Sequence, residues 1–424
     1  MKLVPYWLDS IEPFAGGEPG PVNGEVDVAV VGGGFTGLSA ALALAQAGAN
    51  VVVLEAERIA QMASGRNGGH VNSGTAVDLR KIAKQYGLER ARALYHAYDD
   101  AVDTVERIVR EQKIDCHFVR GGKIKLAAKP SHFEALQHSF EFLNREVDPD
   151  TEIVPRERVR EHVGSDTFYG AMIYRKSAHM HVGKFGRGLA EAANRAGARI
   201  FENAPVTALQ RLRGYSHRVT SPRGSLVAKQ VLIASGTCRR GPLGWFRRRV
   251  IPLGSFVVAT APLDPAVAKA TMPMPHTGTN TLNVGVYFHI AADNRLIYGG
   301  RARFALSNPD SDLKSGRILE ASMLHMFPHL AGVPIDYCWG GEVELTANRV
   351  PRAGEHDGLF FSLGYSGHGV QMAVHMGQRM AAVLGGDSSA NPLRFPWPAI
   401  PGHFGPPWFM PFVGVYFRIK DRIS

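Results

Sequence analysis

The stretch from Val26 to Ala56, VDVAVVGGGFTGLSAALALAQAGANVVVLEA, constrains this chain more than any other. Asp27 to Val31 is an apolar, β-branched run that reads as a buried strand. Gly32, Gly34 and Gly37 follow it in the spacing G-x-G-x-x-G. Leu38 to Ala47 is rich in Ala and Leu and reads as a helix that Gly48 stops, and Val51 to Leu54 is a second buried strand closed by Glu55 and Ala56. Each part has a physical role in holding a dinucleotide. Gly32 permits a sharp turn, Gly34 lets a pyrophosphate approach the backbone, and Gly37 lets helix and strand pack closely. Phe35 and Thr36 lie at the helix N-terminus, whose free N–H groups and partial positive charge favour phosphate. Glu55 follows at about the 20-residue interval expected of the acid that takes the ribose hydroxyls. An acid there disfavours a 2′-phosphate, so FAD or NAD is expected rather than NADP.

The rest of the chain fits a large α/β protein. Its 424 residues suffice for two or three domains, and 45% hydrophobic and 20% charged residues are ordinary for a globular protein. The net charge of +10 raises nucleic-acid binding as a reading. Lys and Arg are spread along the chain, however, with only short clusters such as Arg247-Arg248-Arg249, so no nucleic-acid partner is expected. Cys116, Cys238 and Cys338 are few and widely spaced, which suits neither a disulfide framework nor a metal site and leads to an expectation of a reducing, cytoplasmic compartment. The N-terminus lacks an apolar signal core, and no run of about 18 apolar residues exists.

Along the chain, residues 1–24 read as an irregular leader with Tyr6 and Trp7 as surface anchors. Ala63-Ser64-Gly65-Arg66-Asn67-Gly68-Gly69-His70 is a donor-rich loop of small residues that could follow an extended cofactor, with Ser64 and Arg66 on phosphate or carboxylate oxygens. Asp78 to Gln112 shows helical periodicity, and His132 to Glu146, Lys184 to Ala196 and Asp312 to Met326 read as further helices. Val206 is expected beside the adenine, on a third strand facing the cofactor. Gln230 to Ala234 is a buried strand that ends in Ser235-Gly236, small residues over which a cofactor can lie. Residues 251–261, 281–290 and 295–299 form an antiparallel-looking block. Gly358 to Leu363 then leads through Gly364-Tyr365-Ser366-Gly367-His368-Gly369 into a helix starting at Val370, a second strand–glycine–helix unit.

Two such units at opposite ends of one chain resemble the FAD-dependent amine and D-amino acid oxidase superfamily, which includes glycine and sarcosine oxidases. The likeness is strongest to its γ-glutamylputrescine oxidoreductase branch. It rests on Val30 to Ser39, Val53 to Ala56, Ala63 to Gly69, the most specific stretch, and Gly364 to Gly369. The resemblance implies an α/β fold: a Rossmann-type FAD-binding domain with a parallel central sheet, plus a substrate domain on a mostly antiparallel sheet that roofs the flavin. The cofactor domain is expected from residues 25–75, 150–237 and 335–386, the substrate domain from 76–149 and 238–334, and residues 387–424 form an aromatic, basic tail.

That tail could pack on the body or touch an anionic membrane surface. The resemblance further implies oxidation of a small amine or amino acid, with O2 or an electron carrier as acceptor. The helix headed by Gly367, His368 and Gly369 is placed to stabilise charge on the reduced flavin. His70, Tyr365, His368 and Arg301 are the catalytic candidates, with Arg303, Arg349, Tyr287 and His289 as further candidates to meet substrate. Sarcosine-type relatives attach flavin through a cysteine where this chain has Gly341, with Cys338 off that position, so FAD is expected to be noncovalent. Ile297 stands where those relatives carry an oxygen-activating lysine.

Overall fold

The computed structural model describes residues 1–239 and 241–423, built around two eight-stranded sheets. In the first sheet, Glu25–Val31 is flanked by Val51–Leu54 on one side and by Gly224–Ile233 on the other, all parallel. Arg199–Phe201 extends the first edge, while Leu359–Leu363 and then Arg352–His356 extend the second. The run Val28 to Val31 is almost fully buried: Val28 and Val30 pack with the helices on one face, and Ala29 and Val31 pack with Val206, Cys238 and Phe246 on the other. Glu25–Val31 is thus the strand from which the connections diverge to either side, and its C-terminal end opens the crevice where doubly wound sheets take their ligands.

The second sheet runs Ile335–Leu345, Ile251–Thr260, Leu296–Gly300, Val286–Ile290, Thr277–Asn280, Lys123–Leu126, Gly170–Tyr174 and Glu152–Pro155. All its pairings are antiparallel except Thr277–Asn280 with Lys123–Leu126. Three strands expected in the cofactor part pair here instead: Glu152–Pro155, Gly170–Tyr174 and Ile335–Leu345. Buried apolar strands of either sheet share one sequence pattern, and only long-range pairing assigns them. Ile335–Leu345 is captured by a ladder along the whole of Ile251–Thr260.

Two helices, Phe35–Gln46 and Gly369–Leu384, pack against each other and bring the two glycine turns together. Gly377 makes that approach possible, since a Cβ there would lie 2.5 Å from the Thr36 carbonyl oxygen. The Ser39 hydroxyl donates to the Val374 carbonyl at 2.7 Å, and Gln378 Nε2 donates to the Ser39 carbonyl at 2.9 Å. The long helical region splits into Leu79–Tyr86 and Leu88–Glu111 at Gly87, whose φ of 88° breaks the helix. The leader is not irregular throughout. Tyr6–Asp9 forms a helical turn, and Tyr6 and Trp7 are core residues rather than surface anchors. Trp7 stacks with His289 and meets His181 edge-on, so its large apolar area is buried against the second sheet.

At the first glycine turn, Gly32 has φ of 112°, and a Cβ would sit 2.6 Å from the Ala234 carbonyl oxygen. A Cβ on Gly37 would overlap the Gly32 carbonyl oxygen. Gly37→Ala therefore forces the helix away from the turn, at roughly 1–3 kcal/mol of overpacking. The variant is expected to purify with much less flavin per chain than the wild type. Full flavin occupancy would contradict the packing described.

Candidate active site

The first helix begins at Gly34 without a side-chain cap; the Phe35 N–H is taken by Ser64 Oγ at 3.1 Å. The neighbouring donors remain for an anion. Glu55 lies under this turn. One carboxylate oxygen accepts from the Gly33 N–H at 2.6 Å and the other from the Glu57 N–H at 2.9 Å. Burial raises its pKa, and these N–H bonds oppose the rise. Ala56 follows it, Ser235 lies beside Gly32 across the strand ends, and Gly236 faces the Glu344 carboxylate. Val206 is buried beyond the end of the Arg199–Phe201 strand, in an apolar cluster with Ala204 and Cys238, and not on a strand of its own. These residues form one end of an elongated cradle that suits an adenosine diphosphate.

The other end is a cavity of about 360 Å³ between the two sheets. Arg66, Asn67, Gly68, His70, Gly341, Gly367, His368, Val370 and Arg301 all line it, so most of the flavin-side and substrate-side candidates converge. The loop that carries several of them is held from both flanks. Trp7 Nε1 donates to the Asn67 carbonyl at 2.7 Å, and Trp339 Nε1 donates to the Arg66 carbonyl at 2.9 Å. Asn67 Oδ1 accepts from the Gly69 N–H at 2.9 Å. Arg66 donates to the Gln61 carbonyl at 2.9 Å and the Gly340 carbonyl at 2.9 Å, so much of its guanidinium joins the two sheets. Ala63–Arg66 is a helical turn, which places Ser64 against the first glycine turn.

Tyr365 does not reach this cavity. Its buried hydroxyl hydrogen-bonds with Thr36 Oγ1 at 2.9 Å and Ser362 Oγ at 2.8 Å, which ties the two glycine turns together. Gly369 packs on its ring, and the Gly364 N–H donates to Glu344 at 3.0 Å. Burial pushes the Glu344 carboxyl up to about 7. Sequence reading passed over this acid, which lies on a roof strand yet caps the second glycine turn.

Four cations that sequence reading treated unevenly also meet here. Lys123, Lys125, Arg301 and Arg349 line the cavity, whereas Arg303 does not. Lys123 Nζ donates to the Ser73 carbonyl at 2.8 Å and stands 3.9 Å from the centre of the Tyr174 ring. Burial lowers its pKa to about 7, and Lys125 lowers it further. Burial also lowers Arg301 to about 10, with Arg349 adding to the effect. The cavity's one carboxylate, Glu342, is paired with Arg239. The alternation Lys-Ile-Lys-Leu over residues 123–126 could have located the two lysines, since period two puts both on one face.

His70 is buried and its pKa falls to about 3 through burial, so its ring is neutral. It meets Tyr287 and His289 edge-on at 5.4 and 5.2 Å. His70 Nε2, His368 Nδ1, Arg349 Nε and Gln371 Oε1 are buried polar atoms without a hydrogen-bond partner among the described residues, and all four side chains line this cavity. Buried polar groups are normally paired, so the four point to a polar ligand. FAD fits the whole cradle: Gly32 to Glu55 would take its adenosine diphosphate, and the uncapped Gly369–Leu384 helix would meet the flavin.

A parallel sheet that takes a dinucleotide at its switch point, roofed by a second sheet over a redox cavity, defines a flavin-dependent oxidoreductase. The chain matches the family described as "DAO: FAD dependent oxidoreductase" over residues 27–383. It is 33% identical over 408 residues to gamma-glutamylputrescine oxidoreductase of Escherichia coli strain K12, covering 94% of this chain and 93% of that protein. It is 26% identical over 390 residues to glycine oxidase of Bacillus licheniformis, covering 88% and 95%. The solved glycine oxidase from Geobacillus kaustophilus superposes with a TM-score of 0.69 at 22% identity, covering 90% and 98%, a likeness of fold. The chain belongs to the DAO family of FAD-dependent oxidoreductases and is an enzyme.

Trp339→Phe keeps the ring and removes the hydrogen bond to the Arg66 carbonyl. Losing one such buried bond costs about 1 kcal/mol. FAD is expected to bind the apoprotein roughly fivefold more weakly, read by flavin fluorescence quenching. An unchanged Kd would show that this clamp does not shape the cofactor site.

Proposed function

We propose that this enzyme oxidises the C–N bond of an amine that also carries a carboxylate, such as an amino acid or a γ-glutamyl amine. The imine formed is hydrolysed by water to an aldehyde or keto acid. The observation that carries this reading is the charge of the cavity: besides the carbonyl-bound Arg66, the buried Lys123 and the half-buried Lys125, Arg301 and Arg349 line it, and the one carboxylate among its described lining residues is already committed. Such an imbalance is costly unless a bound anion offsets it. Gamma-glutamylputrescine oxidoreductase and glycine oxidase, by their names, act on molecules that combine an amine with an acid.

Bound FAD supplies the two-electron acceptor for the hydride leaving the carbon attached to nitrogen. Arg301 and Arg349 would orient the substrate carboxylate; a guanidinium offers two parallel donors to it. Arg301 is available for this, with one long bond of 3.4 Å to the Asn283 carbonyl. Tyr287, held by Ser255 at 3.2 Å with its ring laid against Gly68, would fix the substrate plane. Neutral His70 presents an acceptor nitrogen without adding a further cation near the substrate amine. The N-terminus of the helix from Gly369 would favour negative charge on the reduced ring.

The same reading makes FAD noncovalent, since Gly341 offers no attachment group and the Cys338 thiol points away, to the Asp312 carbonyl at 3.2 Å. It takes O2 as the acceptor, giving H2O2. A second reading, transfer to a quinone or other carrier, draws on Ile297, a fully buried apolar residue where a cationic group would speed reaction with oxygen. Peroxide formed per substrate consumed separates the two.

Arg301→Met and Arg349→Met are each expected to lower kcat/KM at least ~30-fold, about 2 kcal/mol, mostly through KM. Unchanged KM in both would remove them as the anchor. Lys123 gives a second check. Its ammonium form, which attracts an anion, is present below its pKa of about 7 and is lost above it. Affinity for acetate, followed by the flavin spectrum, should therefore fall as pH rises through that region. Lys123→Met should flatten that pH step, and a step surviving in the variant would assign it to another group.

A further inference from the structure

The tail ends in a helix, Met410–Ile423, that presents apolar side chains on two opposite faces. The inner face is docked. Phe417 stacks on Phe304 at 6.1 Å between ring centroids, and Gly414 sits against the same ring. The Asp421 carboxylate accepts from the Asn283 N–H at 2.9 Å, Asn283 Nδ2 at 2.7 Å and the Val284 N–H at 2.8 Å. These bonds hold the helix to the loop at residues 281–285, which forms part of the cavity rim.

The outer face lies open to solvent. Phe412, Val415, Tyr416 and Ile419 repeat at helical spacing on one side, and Phe404 and Trp408 in the segment just before the helix are exposed as well. Phe412 and Phe404 are 71% and 72% exposed and Trp408 is 67% exposed, far from the burial these side chains normally reach. At 100° per residue, Arg418 and Lys420 fall on the two flanks of that apolar arc. The exposed Arg248 guanidinium lies 5.3 Å from the Phe404 ring centre, which adds positive charge at the far end. The helix's one acid, Asp421, is turned inward.

We infer that this face docks on the surface of an anionic lipid bilayer, with the helix lying in the interfacial plane. Aromatic and aliphatic side chains flanked by cations are what partition into the boundary between headgroups and acyl chains. Anionic lipid adds an attraction for Arg248 and Arg418. No helix among the described residues is long and apolar enough to cross a membrane, so the association is peripheral. A second copy of the chain is a poorer occupant, because two such faces would bring like charges together. The docked helix holds the loop at the cavity rim, so membrane binding brings that loop within one helix diameter, ~10 Å, of the lipid surface.

The test is sedimentation of the full-length holoenzyme with vesicles of phosphatidylcholine alone, or with about a third phosphatidylglycerol. Expected is at least tenfold tighter binding to the anionic vesicles, weakened by high salt. The triple variant Trp408→Ser, Phe412→Ser, Tyr416→Ser should lose binding to both while keeping its flavin content and turnover in solution. Arg248→Gln with Arg418→Gln should lose only the preference for anionic lipid. The inference is overturned if the holoenzyme ignores both vesicle types or if the triple variant binds as well as the wild type. It is also overturned if the exposed face instead drives a concentration-dependent dimer that the triple variant abolishes.

Discussion

The packing of helix Phe35–Gln46 on helix Gly369–Leu384 is the contact on which the remainder of the site depends. Residues more than three hundred positions apart are brought to one place by Gly377, by the Ser39 hydroxyl, and by the hydroxyl triad of Thr36, Tyr365 and Ser362. Both helices start at glycine turns without a side-chain N-cap, and apart from the Phe35 N–H, taken by Ser64, their first-turn N–H groups are left for a ligand. With FAD bound, one set would meet the dinucleotide phosphates and the other the flavin end. A side chain at Gly377 would part the helices and the two halves of the cradle together.

The roof sheet adds what the parallel sheet lacks. Its strands carry Lys123, Lys125 and Tyr287 over the cavity, Arg301 follows the end of Leu296–Gly300, and the loop after Ile335–Leu345 contributes Arg349. Arg66 and Trp339 link the roof to the glycine loop, so cofactor-facing and substrate-facing parts are one rigid unit at that seam. Burial lowers the pKa of all four cations, and of these Lys123, brought to about 7, is the one that loses its charge near neutral pH; a bound anion would offset the rest. Placing charge under strain where a ligand will relieve it is a common way to couple binding to function.

The features legible in the sequence are those whose physics is local. Gly32, Gly34, Gly37 and Glu55 act within one strand–turn–helix unit, and their spacing carries their meaning. The same holds for Gly364 to Val370 and for most of the antiparallel block, although residues 281–285, expected in a strand, form a loop before Val286–Ile290. Features that depend on distant partners were hidden. Tyr365 looked poised for chemistry but is consumed by Thr36, and Trp7 looked like a surface anchor but fills the core. Lys123, Arg349 and Glu344 gain their roles only when two sheets close on one another, which no local pattern encodes. Sheet membership of Glu152–Pro155, Gly170–Tyr174 and Ile335–Leu345 was hidden for the same reason.

The central claim is that the cation-lined cavity selects an amine that bears a carboxylate and presents it to the flavin. The most direct measurement is anaerobic flavin bleaching by matched pairs of amines, each an acid-bearing amine and its analogue without the carboxylate. The account predicts that the acid-bearing member of at least one pair reduces the flavin at least tenfold faster at equal low concentration. Equal or faster bleaching by the analogue without the carboxylate, across all pairs that react, would contradict it.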